Sequence, residues 1–91
     1  MEYLEVATAL VDPGRITGNT RHYRGNLLPP PYSLKIVQLS EDLDAGYYLL
    51  YLDAAGAEMT DTWHDSVEAA MAQAEFEFGL MPSEWNRAQY S

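Results

Sequence analysis

The 91-residue chain is 47% hydrophobic and 12% aromatic, contains no cysteine and carries a formal net charge of −9. This composition suits one small domain with a core of its own and excludes a disulfide framework or a thiolate site. No apolar run approaches the roughly 18–20 residues of a membrane-spanning helix, and the acidic start MEYLEVATAL lacks the basic-then-apolar order of a secretory signal, so a cytoplasmic protein is expected.

Charge is placed unevenly. From Pro13 to Ile36 there are no acids and four bases, Arg15, Arg21, Arg24 and Lys35; the remainder holds all 14 acids and Arg87. Such asymmetry fits a basic site on an acidic body, or, more simply, a basic segment that packs against an acidic one.

Residues 1–12 form an N-terminal element of either type. Leu4, Val6, Thr8 and Leu10 alternate as in a strand, while Tyr3, Leu4, Ala7, Leu10 and Val11 also fit a helical stripe. Asp12-Pro13-Gly14 ends whichever forms. Residues 13–33 read as a basic, proline-containing loop. Within it Pro29, Pro30, Pro31 and Tyr32 spell the short pattern that aromatic-grooved modules bind, but the preferred reading is a stiff lead-in to the first core strand, with Tyr32 packed on the domain.

Residues 34–81 form the core. LKIVQLS (34–40), YYLLYLD (47–53) and AEMTDTW (57–63) are strand candidates joined by turn-rich segments, giving a three-stranded antiparallel meander. Alternation assigns Val37, Leu39, Tyr48, Leu50, Leu52, Met59 and Trp63 to the core side. The opposite side of the middle strand carries Tyr47, Leu49 and Tyr51 and is less polar than a solvated face.

The helix follows, with Asp65 as expected N-cap, Glu68 at capping-box spacing, Gly79 as C-terminal stop and Pro82 beyond it. Val67, Ala70, Met71, Ala74 and Phe78 share the stripe that should face the sheet. Phe76 lies almost opposite that stripe, beside Ala69 and Ala72. Cover for this second strip could come from the N-terminal segment, from the tail 82–91 with Trp85 and Tyr90, or from another chain. The expected fold is α+β: the meander, one helix on a sheet face, and an N-terminal strand or helix.

Three constellations carry chemistry. Phe76, Ala69, Ala72, Tyr47 and Tyr51 are candidate interaction-surface residues, although for the two tyrosines burial under the N-terminal segment or a second subunit is the preferred reading. Arg15, Arg21, His22 and Arg24 form a candidate anion site, although the acidic remainder opposes nucleic-acid binding. Asp61, His64 and Glu68 could supply metal ligands or acid–base groups. Asp65 and Glu68 already have a role at the helix start, however, and no nucleophile or second histidine is near in sequence. Neither catalysis, a metal nor a cofactor is expected.

The run 46–79, GYYLLYLDAAGAEMTDTWHDSVEAAMAQAEFEFG, resembles the core of HicB-like antitoxins, in which a strand meander leads into a helix. Asp65-Ser66-Val67-Glu68-Ala69-Ala70 occupies the place of that family's helix-start pattern. The DTWH…QAEFEFG portion is also similar to small uncharacterised bacterial proteins. The antitoxin resemblance implies a sheet-and-helix domain that binds and blocks a small toxin enzyme. The leading expectation is therefore a non-catalytic interaction module, regulatory or antitoxin-like, whose partner is another protein or a second copy. The alternative is a domain that binds a small ligand or phosphate anion through residues 15–24.

Overall fold

In the computed structural model, which describes residues 3–18, 23–24 and 26–87, the N-terminal ambiguity resolves to a strand. β1 (Tyr3–Leu10) pairs antiparallel with β4 (Ser33–Leu39), with a bulge between Glu5 and Ala7. Val6 and Thr8 suit a pleated backbone, and β4 supplies a partner ladder that an isolated helix would leave unused. A 3-10 turn at Pro13–Arg15 ends the strand, with the Asp12 side chain accepting from the Gly14 N–H at 2.9 Å.

β5 (Tyr47–Leu52) and β6 (Glu58–His64) complete the expected meander, but the sheet is larger than three strands. Its order is β6-β5-β4-β1-β7, where β7 (Asn86–Arg87) pairs antiparallel with Ala7 and Thr8 of β1. A separate two-stranded ribbon joins β2 (Tyr23–Arg24) to β3 (Asn26–Leu27) inside the segment read as loop. The proline run then leads into β4. The Tyr32 backbone already joins the ladder, donating to Leu52 O at 2.8 Å and accepting from Val11 N at 3.0 Å. Its side chain is exposed rather than packed on the domain.

Helix α1 (Val67–Phe78) starts one residue later than the sequence suggests. Ser66, not Asp65, is the N-cap: its backbone is extended and its hydroxyl accepts from the Ala69 N–H at 3.0 Å. Gly79 closes the helix in the left-handed region at φ 65°, its N–H bonded to Glu75 O at 2.9 Å. The last turn receives further donors from the segment after β1. Thr17 donates its N–H to Glu77 O (3.0 Å) and its hydroxyl to Phe76 O (2.6 Å), and Arg15 donates to Gly79 O. These contacts satisfy carbonyls that have no partner within the helix and set a cation at the negative end of its dipole.

The face assignment of the sheet is the reverse of the expectation. Pairing sets Ala9, Leu34, Tyr51 and Thr60 in one row, and Ala7, Ile36, Leu49 and Thr62 in the next. These rows lie under the helix, where Ala70, Met71, Ala74 and Phe78 join them in one buried cluster. Val37, Leu50 and Leu52, with Tyr48 beside them, form a second cluster on the opposite face. β5 is apolar on both sides, so its own alternation cannot decide. Its neighbours decide: the helix side takes Ala7 and Ala9, which let the helix sit close, whereas the other side carries Glu5, Lys35 and Asp61, which need water.

The turn into β5 imposes one strict requirement. Gly46 adopts φ 92° and ψ −155°, a region essentially restricted to glycine, and an added Cβ would lie 2.7 Å from the Trp63 ring. Gly46→Ala is expected to cost about 1–3 kcal/mol through the backbone alone, with further loss from displacing the indole. Urea denaturation should show the drop, and Trp63 emission should shift with it. Among the described residues no helix is long and apolar enough to cross a membrane.

Candidate functional site: an uncovered sheet face

The face away from the helix is built from the outward positions of four strands. Tyr48 of β5 sits between Val37 of β4 and Trp63 of β6. Tyr3 of β1 reaches the same row, its ring centroid 6.4 Å from that of Tyr48. The Trp63 indole donates to Ala45 O at 2.6 Å, which lays the ring over Gly46. Leu50 and Leu52 continue the apolar surface towards Leu10 at the far end. Val37 (1% exposed) and Leu50 (6%) are buried, with Tyr48 packed against them, while Leu10 (67%), Trp63 (54%) and Tyr3 (43%) lie open.

Charge on and beside this face is mainly negative. Lys35 lies 3.4 Å from Glu5, while Asp61 shares the face and Glu41, Asp42 and Asp44 are exposed in the turn that borders the aromatic row. The arrangement has an apolar centre and an acidic rim, the anatomy of a protein-binding patch. Strand alternation alone does not reveal it, because it assigns Tyr48 and Trp63 to the core side. The signal was the alternation of Glu5, Lys35 and Asp61 with apolar residues on the same side.

The other candidate interaction residues separate. Phe76 is exposed, with Ala72 exposed and Ala69 half-buried near it, so the outer helix strip exists but is narrow. Tyr47 packs against the helix-side core, and Tyr51 is 1% exposed within it. In this fold Tyr51 is a core residue rather than a surface one, because its side of β5 is the side the helix covers.

Beneath the helix runs a polar chain the sequence reading did not anticipate. The Tyr51 hydroxyl donates to Glu77 Oε2, and Gln73 Nε2 donates to the same oxygen at 2.9 Å. Tyr51 also lies 3.4 Å from the Thr62 hydroxyl, which contacts His64 Nε2 at 2.8 Å. Glu77 is only 2% exposed. Burial, reinforced by the bond to Glu77, pushes the Tyr51 hydroxyl far above its ordinary range, so the proton stays on the phenol. Burial also lowers the His64 pKa, against the opposing pull of Asp65 and Glu77. Glu77 stands three residues after Ala74 and seven after Ala70, and an acid at that spacing on a core stripe was the available signal.

Of the candidate anion-binding residues, Arg15 is already committed. Its guanidinium grips Glu84 with both nitrogens, at 2.6 and 2.5 Å, and reaches Gly79 O as well, so the anion it holds is the protein's own. Arg21 and His22 lie outside the described residues, as does the Arg24 side chain on β2. Asp61 faces the uncovered side, His64 contacts Thr62 on the helix side, and Glu68 is exposed in the first helical turn. Among the described residues no group of three or more His, Cys, Asp or Glu side chains could hold a metal ion.

The Arg15–Glu84 pair gives a pH expectation. The bond to Arg15 and the Met81 N–H hold the Glu84 carboxyl at about 2 against an ordinary 4.5. A depressed carboxyl contributes stability that is present above pH 4.5 and is lost as pH falls towards about 2. The pair is exposed, so its contribution is modest and weakens with salt. The melting temperatures of wild type and Glu84→Gln should therefore differ above this window and converge on acidification through it.

Comparison with known proteins found no family model that matches the chain, and no match among curated proteins or solved structures.

Proposed function

We propose that this chain is a non-catalytic protein-interaction module that binds a basic partner through the uncovered face of its sheet. One observation supports this reading above the others: Val37, Leu50 and Leu52 form a second apolar cluster, edged by the exposed Tyr3, Leu10 and Trp63, on a face that carries no helix among the described residues. Large apolar patches rimmed by polar groups mark binding sites, and aromatic residues at the centre of such patches carry much of the binding energy.

The acidic rim and the net charge of −9 select the partner's chemistry. A second copy would set like charge against like, whereas a chain with lysines and arginines around an apolar stripe would be steered in and held. A regulatory or antitoxin-like role, in which the bound partner is an enzyme held inactive, is one form of this proposal. The outer helix strip around Phe76 offers one aromatic against three on the sheet face, so it ranks second as a docking surface.

An amphipathic Lys/Leu peptide serves as the probe. Trp63→Glu is expected to weaken its binding at least about tenfold, since it replaces a large exposed aromatic with a charge, and truncating an aromatic hot spot costs about 2 kcal/mol or more. Raised salt should weaken wild-type binding, and Phe76→Glu should leave it unchanged. Binding lost in Phe76→Glu but retained in Trp63→Glu would move the site to the helix and refute the sheet-face proposal.

A further inference from the structure

The tyrosine that ends the proline run stands clear of the domain. Tyr32 is 55% exposed, and Pro29 and Pro30 are exposed beside it. Its backbone, by contrast, is fixed on both sides, by Leu52 O at 2.8 Å and by the Val11 N–H at 3.0 Å. A large aromatic anchored through its main chain, with its ring left in water, buries little of its own area in the fold. Those two hydrogen bonds account for the entry of the chain into the sheet, but not for an exposed tyrosine behind three prolines.

The run has the shape of a preformed ligand. Proline holds its own φ at about −65° and has no N–H to pair with a strand. Leu28, Pro29 and Pro30 each precede a proline, which keeps them out of helical backbone, and among the described residues no peptide bond is cis. The segment is therefore biased to the left-handed extended helix that aromatic grooves read. Anchored at Tyr32, it has little backbone freedom left to lose on binding. Two hollows open to solvent border the run, one towards the end of α1 beside Leu28 and Phe78, the other towards the β5–β6 turn beside Asp53 and Ala54. They leave room for a partner's aromatic side chains to close on the proline rings.

Spacing selects the reader. Pro29-Pro30-Pro31-Tyr32 offers a proline pair, one free position and a tyrosine, and residues 26–33 contain no two prolines three positions apart. A groove built for Pro-x-x-Pro lacks its second anchor here, whereas a groove with one slot for a proline pair and one for a phenol finds both. Residues 26–33 carry no charge, so the contact rests on rings rather than ion pairs.

We propose that Pro29–Tyr32 is a docking motif for a small module whose aromatic-lined groove reads Pro-Pro-x-Tyr, the Pro29–Pro30 pair entering one slot and the Tyr32 ring another. The site does not depend on the uncovered sheet face, and failure of either leaves the other standing.

A WW domain of Pro-Pro-x-Tyr specificity is the probe, titrated against the full-length protein by calorimetry and NMR, with an SH3 domain that reads Pro-x-x-Pro as control. The WW domain is expected to bind with Kd on the order of 100 μM or tighter, to shift the Tyr32 signals, and to be displaced by a peptide of residues 26–33. The SH3 domain should not bind. Tyr32→Ala and Pro30→Ala should each weaken binding at least about tenfold, with the fold intact by circular dichroism because both side chains are exposed. Pro31→Ala, at the free position, should stay within about threefold of wild type, a loss of stiffness alone. Trp63→Glu should bind the WW domain as wild type does. The proposal is overturned if the full-length protein does not bind the WW domain, binds the SH3 domain equally, or is not displaced by the peptide. Binding that survives Tyr32→Ala, that falls equally in Pro31→Ala and Pro30→Ala, or that is lost in Trp63→Glu would overturn it as well.

Discussion

Leu49→Glu is expected to leave the chain unfolded, while Tyr48→Glu, one residue earlier on the same strand, gives a folded protein of lower stability. Leu49 is 0% exposed between the sheet and the helix, and a charge placed there has neither water nor a partner. A domain of this length is stable by about 5–14 kcal/mol, and an uncompensated buried carboxylate costs enough to remove most of that. Tyr48 is half-buried on the uncovered face, where a carboxylate can reach solvent. A loss there on the order of 1–2 kcal/mol would lower the melting temperature by roughly 4–16 °C. Circular dichroism melts of the two variants suffice. A folded Leu49→Glu beside an unfolded Tyr48→Glu would mean that the helix packs on the other side.

Tyr51→Phe and Glu77→Leu should each destabilise the protein, and together should do so by less than the sum. Removing the phenol takes a donor from a buried carboxylate, a loss of about 1.5–3 kcal/mol. Removing the carboxylate takes from the Tyr51 hydroxyl and the Gln73 amide the acceptor to which both donate. The double substitution leaves fewer unmatched groups. A double-mutant cycle by urea denaturation should return a coupling of about 1–2 kcal/mol. Strict additivity would mean that the two side chains do not share an energetic bond.

These two tests fall where sequence and structure diverge, and the reasons are physical. The helix was legible because Val67, Ala70, Met71, Ala74 and Phe78 repeat at helical spacing and Gly79 stops it. The three meander strands were legible because each is a short apolar or aromatic run between turn residues. β1 was not, because its residues fit both periods and the choice rested on β4, more than twenty residues away. β7 is two residues long and exists only through its pairing with β1.

The face of the sheet could not be read from β5, since Tyr47 to Leu52 contains no polar residue. It could be read from β1, β4 and β6 together, where Glu5, Lys35 and Asp61 fall on one side once the register is known. That single inversion moved Tyr51 from surface to core and Trp63 from core to surface. Arg15 shows the same limit in another form. Its partner Glu84 lies 69 residues away, so the sequence displays a free cation where the fold has an ion pair. Phe76 stands exposed on a strip for which the sequence suggested a cover, and the wider surface lies on the other side of the molecule.

The central claim is that this wider surface, the uncovered sheet face, is where a basic partner docks. NMR mapping of isotope-labelled protein against the Lys/Leu peptide, with a Glu/Leu peptide of the same length as control, tests it most directly. The expected result is a salt-sensitive set of shifts on Tyr3, Val37, Tyr48, Leu50 and Trp63, absent with the acidic control. Shifts confined to Ala69, Ala72 and Phe76, or none with either peptide, would contradict it.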